Sequence, residues 1–341
     1  MSMTGRELVK RAIEFESPEH LPFWQHVVDD VPDDVCDCWE MDRARAGWFF
    51  DRAGVDDWGC VWERSEVDNM GQVKHHPLGN WGALESYRPP DARDSFYFER
   101  LEDEMRRGGA EQDKYVVITC HFNLVERLHM LRGFEQMMLD FYLEPEKVGR
   151  VLDMVLEFKV ELLAELHRRL GDRVHGVFFT DDWGSQQSTF VSGAIFDEFF
   201  APRYRQLNDA VHGHGYHSIL HSCGRVNDFV QRFLDCGFDV LNMQQPRTYG
   251  IEEIGRQFAG KAAFLTTVDI QRTLPRGSDA EIRGEAQLLL EHWATPQGGF
   301  IVFNYGDGRA IGAPPERAAV MFHAFLRAGW PVRTPARPHA G

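Results

Sequence analysis

The 341-residue chain lacks long apolar runs, clusters of basic residues and a dense set of cysteines. No stretch approaches the roughly 18 consecutive apolar residues of a membrane-spanning helix, so a bilayer-spanning protein is not expected. Lysine and arginine total 37 against 53 acidic residues, a formal net charge of −16. No basic run is long enough to follow a phosphate backbone, and we therefore expect neither nucleic acid nor an anionic membrane as a partner.

Cysteine is sparse, with 6 residues in the whole chain. The start of the sequence shows no secretory signal, and Thr4 and Glu7 have the spacing of a helix-capping pair instead. Reduced thiols and a cytoplasmic location are therefore the expectation. Cys36 and Cys38 lie in an acidic stretch that we interpret as a loop, and a metal site there is the less favoured alternative.

Short apolar segments alternate with long helical patterns along most of the chain. One helical stripe begins at Pro145 and continues to Leu170, and a last helix is predicted from Pro314. This alternation predicts βαβ units, and the absence of a glycine-rich nucleotide loop favours a closed α/β barrel of the (β/α)8 (TIM) type. We expect one such domain over residues 1–331, with an elaborated N-terminal region, and a frayed tail at 332–341. The predicted strands are Leu21–Gln25, Tyr115–Cys120, Val174–Thr180, Tyr216–His221, Val240–Met243, Ala263–Thr267 and Gly299–Asn304.

Polar side chains follow the predicted strands where these end, and barrel active sites gather at that end. His221 and Cys223 are two residues apart, so on a strand their side chains would project from the same face. Catalytic zinc takes three protein ligands and leaves one position open, so Asp307, Asp182 or Asp269 would complete a site. A purely structural role for the pair is the alternative.

Asp181 and Asp182 directly follow the strand that ends at Thr180. Adjacent residues there point in opposite directions, so we expect one of the two carboxylates to face the cavity. That carboxylate could act as a general acid or hold a cationic group, whereas capping of the following segment is the alternative. Trp183 is expected to line the cavity or to join the core. For His26 the sequence leaves two positions open, one facing the cavity and one with a structural role.

Eight segments of the chain form a characteristic set: Thr4-Gly-Arg-Glu7, Pro18-Glu-His-Leu-Pro22, Leu131-Arg-Gly-Phe-Glu135, Asp181-Asp-Trp-Gly184, Phe200-Ala-Pro-Arg-Tyr204, His221-Ser-Cys-Gly224, Asp269-Ile-Gln271 and Pro314-Pro-Glu316. As a set, these segments resemble the uroporphyrinogen decarboxylase superfamily. The resemblance covers about Thr4 to Trp330, and the superfamily is a (β/α)8 barrel with two branches. One branch decarboxylates a tetrapyrrole without a metal. The other, similar to methylcobamide:thiol methyltransferases, binds zinc through His-x-Cys and a later Cys, and the zinc activates a thiol that takes a methyl group from a corrinoid.

The sequence departs from both branches. Where the decarboxylase branch has an arginine-rich loop that binds propionates, this chain has residues 25–30, Gln-His-Val-Val-Asp-Asp, which would repel a polycarboxylate. The methyltransferase branch has its later cysteine seven residues before the proline of the last helix, where this chain has Asp307. The resemblance therefore implies a mixed site of His221, Cys223 and Asp307, for zinc or, because aspartate is a harder ligand, iron(II) or manganese.

The first function hypothesis is a metal-dependent methyltransferase-like enzyme with zinc at that site, a thiol acceptor, and a corrinoid on a partner protein as methyl donor. The alternatives are a metal-free decarboxylase or lyase on a small non-tetrapyrrole substrate, with Asp181, Asp182 and Asp307 transferring protons, and a non-catalytic barrel that binds a corrinoid or another ligand. By analogy with the superfamily, a homodimer is expected. The candidate catalytic residues are Asp181 and Asp182, and the candidate substrate-binding residues are His26, Trp183, Asn242, Asp269, Gln271 and Tyr305.

Overall fold

Strands and helices alternate along the chain in the computed structural model, which describes residues 2–39, 41, 54–63, 71–306 and 308–329. The strands are β1 (Phe23–Trp24), β2 (Val35–Cys38), β3 (Gly54–Val55), β4 (Val61–Glu63), β5 (Gln72–His75), β6 (Tyr115–Cys120), β7 (Gly176–Thr180), β8 (His217–His221), β9 (Val240–Asn242), β10 (Ala263–Thr266) and β11 (Phe300–Phe303). The helices are α1 (Gly5–Glu14), α2 (Leu101–Arg107), α3 (Leu124–Arg132), α4 (Phe134–Leu143), α5 (Pro145–Leu170), α6 (Gly193–Ile195), α7 (Ala201–Gly213), α8 (Val230–Asp235), α9 (Pro246–Tyr249), α10 (Ile251–Phe258), α11 (Thr273–Arg276), α12 (Asp279–Trp293) and α13 (Pro315–Ala328). A π-helical turn, Phe196–Phe200, joins α6 to α7.

Eight strands form a single sheet that curves into a nearly closed barrel. The strand order is β1-β11-β10-β9-β8-β7-β6-β2, and all paired neighbours are parallel. The two end strands, β1 and β2, lie beside each other. With helices between its strands, the chain is a single (β/α)8 barrel, and the predicted fold class is confirmed.

The interior of the barrel is a packed apolar core. Alternate residues of each strand point inward, and α1 closes the end of the barrel at which the strands begin. As the sequence predicts, this helix begins after Thr4, whose side chain accepts a hydrogen bond from the Glu7 backbone N–H at 3.3 Å. The cluster consists of Val9, Ala12 and Ile13 of α1 with Trp24, Val35, Tyr115, Val117, Phe178, Ile219, Val240, Ala263, Leu265, Ile301 and Phe303.

Seven of the barrel strands are found where the sequence predicts them, and β2 is found where it predicts a loop. Cys36 and Cys38 lie on β2, which pairs with β6 through Val35 opposite Tyr115. The loop interpretation was wrong because pairing with β6 outweighs the acidic composition of the stretch. Both thiols are fully buried in the core between sheet and helices.

The elaborated N-terminal region includes a separate antiparallel sheet in the order β3-β4-β5. It packs on α3, where the Cys60 thiol and the His76 Nδ1 atom lie 3.4 and 2.7 Å from the Met130 carbonyl oxygen. Asp56, which follows β3, accepts a hydrogen bond from the indole N–H of Trp62 on β4 at 2.8 Å and so stabilises this sheet. The predicted tail at 332–341 lies outside the described residues. None of the helices in the described ranges is long and apolar enough to cross a membrane.

The loops that follow β7 and β8 touch each other backbone to backbone. Gly224 has a φ of +81°, and a Cβ atom built on it would lie 2.0 Å from the Gly184 carbonyl oxygen. Neither the backbone conformation nor the space therefore tolerates a larger residue at this position.

We expect Gly224→Ala to lower the free energy of unfolding by roughly 2 kcal/mol or more, because a Cβ would force these loops apart. Gly284→Ala is the matched control, since Gly284 lies within α12 and nothing surrounds its Cβ position within 4 Å. The control should be stabilised by about 0.5–1 kcal/mol. Denaturant unfolding of both variants measures this, and equal stability of the two would contradict the close approach.

Candidate active site

His221 and Cys223 come from the end of β8 and lie side by side. His221 is the last residue of the strand and is paired in register with Thr180 of β7. The Cys223 Sγ and the His221 Nε2 atoms are 3.3 Å apart. Both residues are half-buried. The structure therefore brings the pair together on one face, as the strand periodicity predicts.

Asp182 joins this pair from the end of β7. Its Oδ1 atom is 3.6 Å from His221 Nε2 and accepts the Cys223 backbone N–H at 2.7 Å. One ligand atom from each of the three residues lies within 4.8 Å of the others. Tetrahedral zinc with its usual bond lengths separates neighbouring ligand atoms by about 3.4–3.6 Å, so the distances from His221 Nε2 to the other two donors fit such an ion. Asp307, the carboxylate expected here by resemblance, lies outside the described residues.

Asn242, at the end of β9, fixes the orientation of the His221 ring. The Asn242 amide nitrogen donates to the Leu265 carbonyl oxygen at 2.9 Å, which leaves the Oδ1 atom facing His221 Nδ1 at 2.7 Å. Gln244 donates to the same Oδ1 atom at 2.7 Å. This network assigns the proton to Nδ1 and leaves the Nε2 lone pair directed at the thiol and the carboxylate. Asn242, expected to line the substrate cavity, thus supports a candidate ligand from behind.

The Cys223 thiol is electrostatically disfavoured as an anion when no cation is present. Burial, reinforced by the Asp182 and Glu126 carboxyls, raises its pKa well above the ordinary value. A divalent cation at this place would reverse that effect, because the thiolate is the form that binds metal.

Asp181 points away from this cluster and is completely buried. Its carboxyl accepts the backbone N–H groups of Val125 at 3.1 Å and Glu126 at 2.8 Å, together with the Tyr204 hydroxyl. Burial raises the pKa of Asp181 to about 7. The expected opposite directions of the two carboxylates are therefore observed, and Asp181 holds the start of α3 rather than capping the segment that follows it.

Glu126 is a site residue that the sequence reasoning missed. It lies in the first turn of α3, and its Oε2 atom accepts from the Thr180 hydroxyl at 2.9 Å. Burial, followed by the charges of Asp182 and Asp181, raises the pKa of Glu126 well above its ordinary value. The only sequence signal was a glutamate in the first turn of a helix, which the helix dipole makes common.

A cavity of about 460 Å³ extends from Asp182 and Glu126 between β4, β5, α3 and α4. Its other polar lining residues are Gln72, His76 and His129. The six residues predicted to bind substrate are not part of this lining.

Trp183 lies in the core and does not line the cavity. Its side chain is fully buried, and its ring packs edge-on against Phe200 at 4.6 Å and Phe196 at 5.1 Å. The indole N–H donates to the Tyr204 hydroxyl at 3.0 Å. Of the two roles that the sequence left open for Trp183, its position fits the structural one.

His26 lies beyond β1, half-exposed, between two carboxylates. Its ring nitrogens are 3.7 Å from Asp33 and 3.3 Å from Asp37. Hydrogen bonds to Asp33 and Asp37 raise the pKa of His26 to about 10. Asp37 also accepts the indole N–H groups of Trp24 at 2.9 Å and Trp39 at 2.7 Å. His26 is thus held as a cation by Asp33, just before β2, and Asp37, on β2.

The other three predicted substrate residues are not part of the triad of ligand atoms. Asp269 is buried, and its Oδ1 atom accepts the backbone N–H groups of Gln271 at 3.0 Å and Arg272 at 2.8 Å. The Gln271 side chain is exposed, and Tyr305 is partly buried against the outer core. The two hydrogen bonds that the Asp269 carboxylate accepts therefore stabilise the turn that follows it.

Comparison with known proteins identifies the family of this chain and its fold. Residues 99–327 match the family model described as Uroporphyrinogen decarboxylase (URO-D). A stretch of 135 residues is 27% identical to the Methylcobamide:CoM methyltransferase MtaA of Methanosarcina barkeri (strain Fusaro / DSM 804), covering 39% of this chain and 37% of that relative, little more than a third of its length. A solved structure described as a methyltransferase from Methanosarcina mazei shares the fold, with a TM-score of 0.67 and 17% identity over 96% of this chain and 99% of the other. Because the family model matches more than half of the chain, this protein belongs to the uroporphyrinogen decarboxylase family.

Proposed function

We propose that this protein is a metal-dependent methyltransferase-like enzyme that activates a thiol acceptor. A corrinoid on a partner protein is the proposed methyl donor, since the similar MtaA protein is named for methylcobamide. The observation that carries the proposal is the convergence of His221 Nε2, Cys223 Sγ and an Asp182 carboxylate oxygen within 4.8 Å at the barrel end where active sites form.

His221, Cys223 and Asp182 are the proposed metal ligands, with Asp307 kept as the candidate that the family resemblance implies. One nitrogen, one sulfur and one oxygen donor suit zinc, and the two harder donors also admit iron(II) or manganese. When bound, the cation would lower the pKa of a substrate thiol and favour its nucleophilic thiolate form.

The protein residues around the triad have separate proposed tasks. Asn242 keeps the proton on His221 Nδ1, so that Nε2 remains a lone-pair donor. Asp182 supplies a negative charge, and the Cys223 backbone N–H fixes the position of its Oδ1 atom. Phe178 lies stacked 6.3 Å from the His221 ring and excludes water from the barrel interior beneath the site.

A metal-free lyase or decarboxylase is the second candidate, because three carboxyl groups neighbour one another here. The pKa of Glu126 and of Asp181 is raised by burial, and Glu126 faces the cavity. Carboxyls with raised pKa values are suited to proton transfer near neutral pH. This alternative requires activity that survives metal chelation and the Cys223→Ser substitution.

Protein purified without added metal should contain about one divalent ion per chain, since a catalytic zinc site binds one ion through three protein ligands. His221→Ala and Cys223→Ser should each lose most of it, because each removes a ligand. The matched controls are His75→Ala, which replaces an exposed histidine on β5, and Cys236→Ala, which replaces a buried cysteine directly after α8. Elemental analysis measures the content. Less than about 0.2 ion per chain, unchanged in His221→Ala, would contradict a three-ligand site.

Asn242→Ala should weaken metal affinity by about 10- to 100-fold, because the imidazole loses the acceptor that orients it. Asn242→Asp keeps an acceptor for the Nδ1 proton and should lose less. Competition with a chromogenic chelator gives the affinities, and thermal unfolding of the metal-free variants controls for damage to the fold. Equal affinity of Asn242→Ala and the wild type would show that the hydrogen bond does not support the metal.

A further inference from the structure

The cavity beside Asp182 has a mostly apolar wall. Its apolar side chains are Trp62, Val73, Val125, Met130, Phe134, Met137 and Phe190. Its volume of about 460 Å³ falls in the range of small-molecule sites. Phe134 is 42% exposed although it lines the cavity, so the cavity reaches the surface at the start of α4. Such a wall favours a ligand with an aromatic or branched apolar body, because binding removes the apolar surface of that body from water.

No lysine or arginine is among the lining residues that the structure describes. The neighbouring Arg127 is directed elsewhere: its guanidinium lies 4.7 Å from the Trp58 ring and 3.6 Å from the Asp56 carboxylate. Burial lowers the pKa of the lining residue His129 to about 4, so its imidazole is neutral near pH 7. An anionic ligand would therefore lose its hydration without gaining a lysine or arginine partner among the described lining residues.

The two lining carboxyls oppose an anion further and are already engaged. Glu126 Oε2 accepts from Thr180 at 2.9 Å, and Asp182 Oδ1 accepts from Cys223 at 2.7 Å while facing His221. If a metal binds the triad, that ion compensates the negative charge of Asp182. Among the described lining residues, a cationic ligand would then have one carboxyl partner, Glu126, whose Oε2 atom already accepts from Thr180.

We propose that this cavity binds an uncharged molecule with an aromatic or branched apolar body, whose reacting end lies at Asp182. The inference deepens the proposed function and rests on it, because Asp182 is taken as the edge of the reaction centre and its charge as compensated by the proposed metal. Carboxylate, sulfonate, phosphate and ammonium compounds are then poor ligands of the cavity.

Isothermal titration of the full-length protein as purified, with three matched probes, tests this. The probes are 4-methylbenzyl alcohol, 4-methylbenzoate and 4-methylbenzylammonium, which share one body and differ in charge. The alcohol should bind at least about tenfold tighter than either ion, because burying an unpaired charge costs more than 1.4 kcal/mol. Because no probe has a thiol, the outcome does not depend on methyl transfer, and the metal content of the same sample separates loss of the metal from failure of this proposal.

Two variants on α4 locate the binding. Phe134→Lys places a cation at the rim of the cavity and should weaken the alcohol by about threefold or more while strengthening the benzoate by about tenfold. Leu139→Lys makes the same charge change on an exposed residue of the same helix outside the lining, and should change neither affinity. Equal or tighter binding of either ion to the wild type, no binding of the alcohol at about 10 mM, or identical effects of the two variants would overturn the proposal.

Discussion

The parallel register between β7 and β8 decides where the three donor atoms of the candidate site lie. Thr180 is paired with His221, and the Asp181 backbone N–H donates to the His221 carbonyl oxygen at 3.0 Å. The chain can continue this pairing past the strand ends because Gly184 and Gly224 meet without side chains. Asp182 is thereby carried alongside Cys223, whose backbone N–H it accepts. A shift of one residue would turn Asp182 outward and separate the three donor atoms.

The same alternation of direction gives the two adjacent aspartates different tasks. Asp181 is turned outward and anchors the first turn of α3, which in turn places Glu126 beside Asp182. A fully buried carboxyl is costly, and its hydrogen bonds to two backbone N–H groups and the Tyr204 hydroxyl offset that cost. The position of Glu126 at the cavity therefore depends on Asp181, although Asp181 itself does not face the cavity. A change at Asp181 would reach the site through α3.

The sequence was sufficient for the barrel because its buried strands are rich in apolar and aromatic residues and alternate with long helices. It was insufficient for β2, whose acidic residues are tolerated only because the strand pairs with β6. Strand periodicity alone predicted that His221 and Cys223 share a face. The sequence could not choose the third donor, since the proximity of Asp182 depends on the register between two strands. For the same reason Glu126, far from Asp182 along the chain, gave no usable signal.

Asp182 belongs both to the triad of donor atoms and to the wall of the cavity, which links the electrostatics of the two. Without a cation, burial raises the pKa of Cys223, and the carboxyls of Asp182 and Glu126 raise it further. A divalent ion held by the proposed ligands would compensate the charges of Asp182 and the Cys223 thiolate together. The edge of the cavity would then be close to neutral. The wall of the cavity is mostly apolar and has no lysine or arginine among its described residues. Such a wall suits a charge-compensated edge, because neither the wall nor the edge offers an ionic ligand a counter-charge.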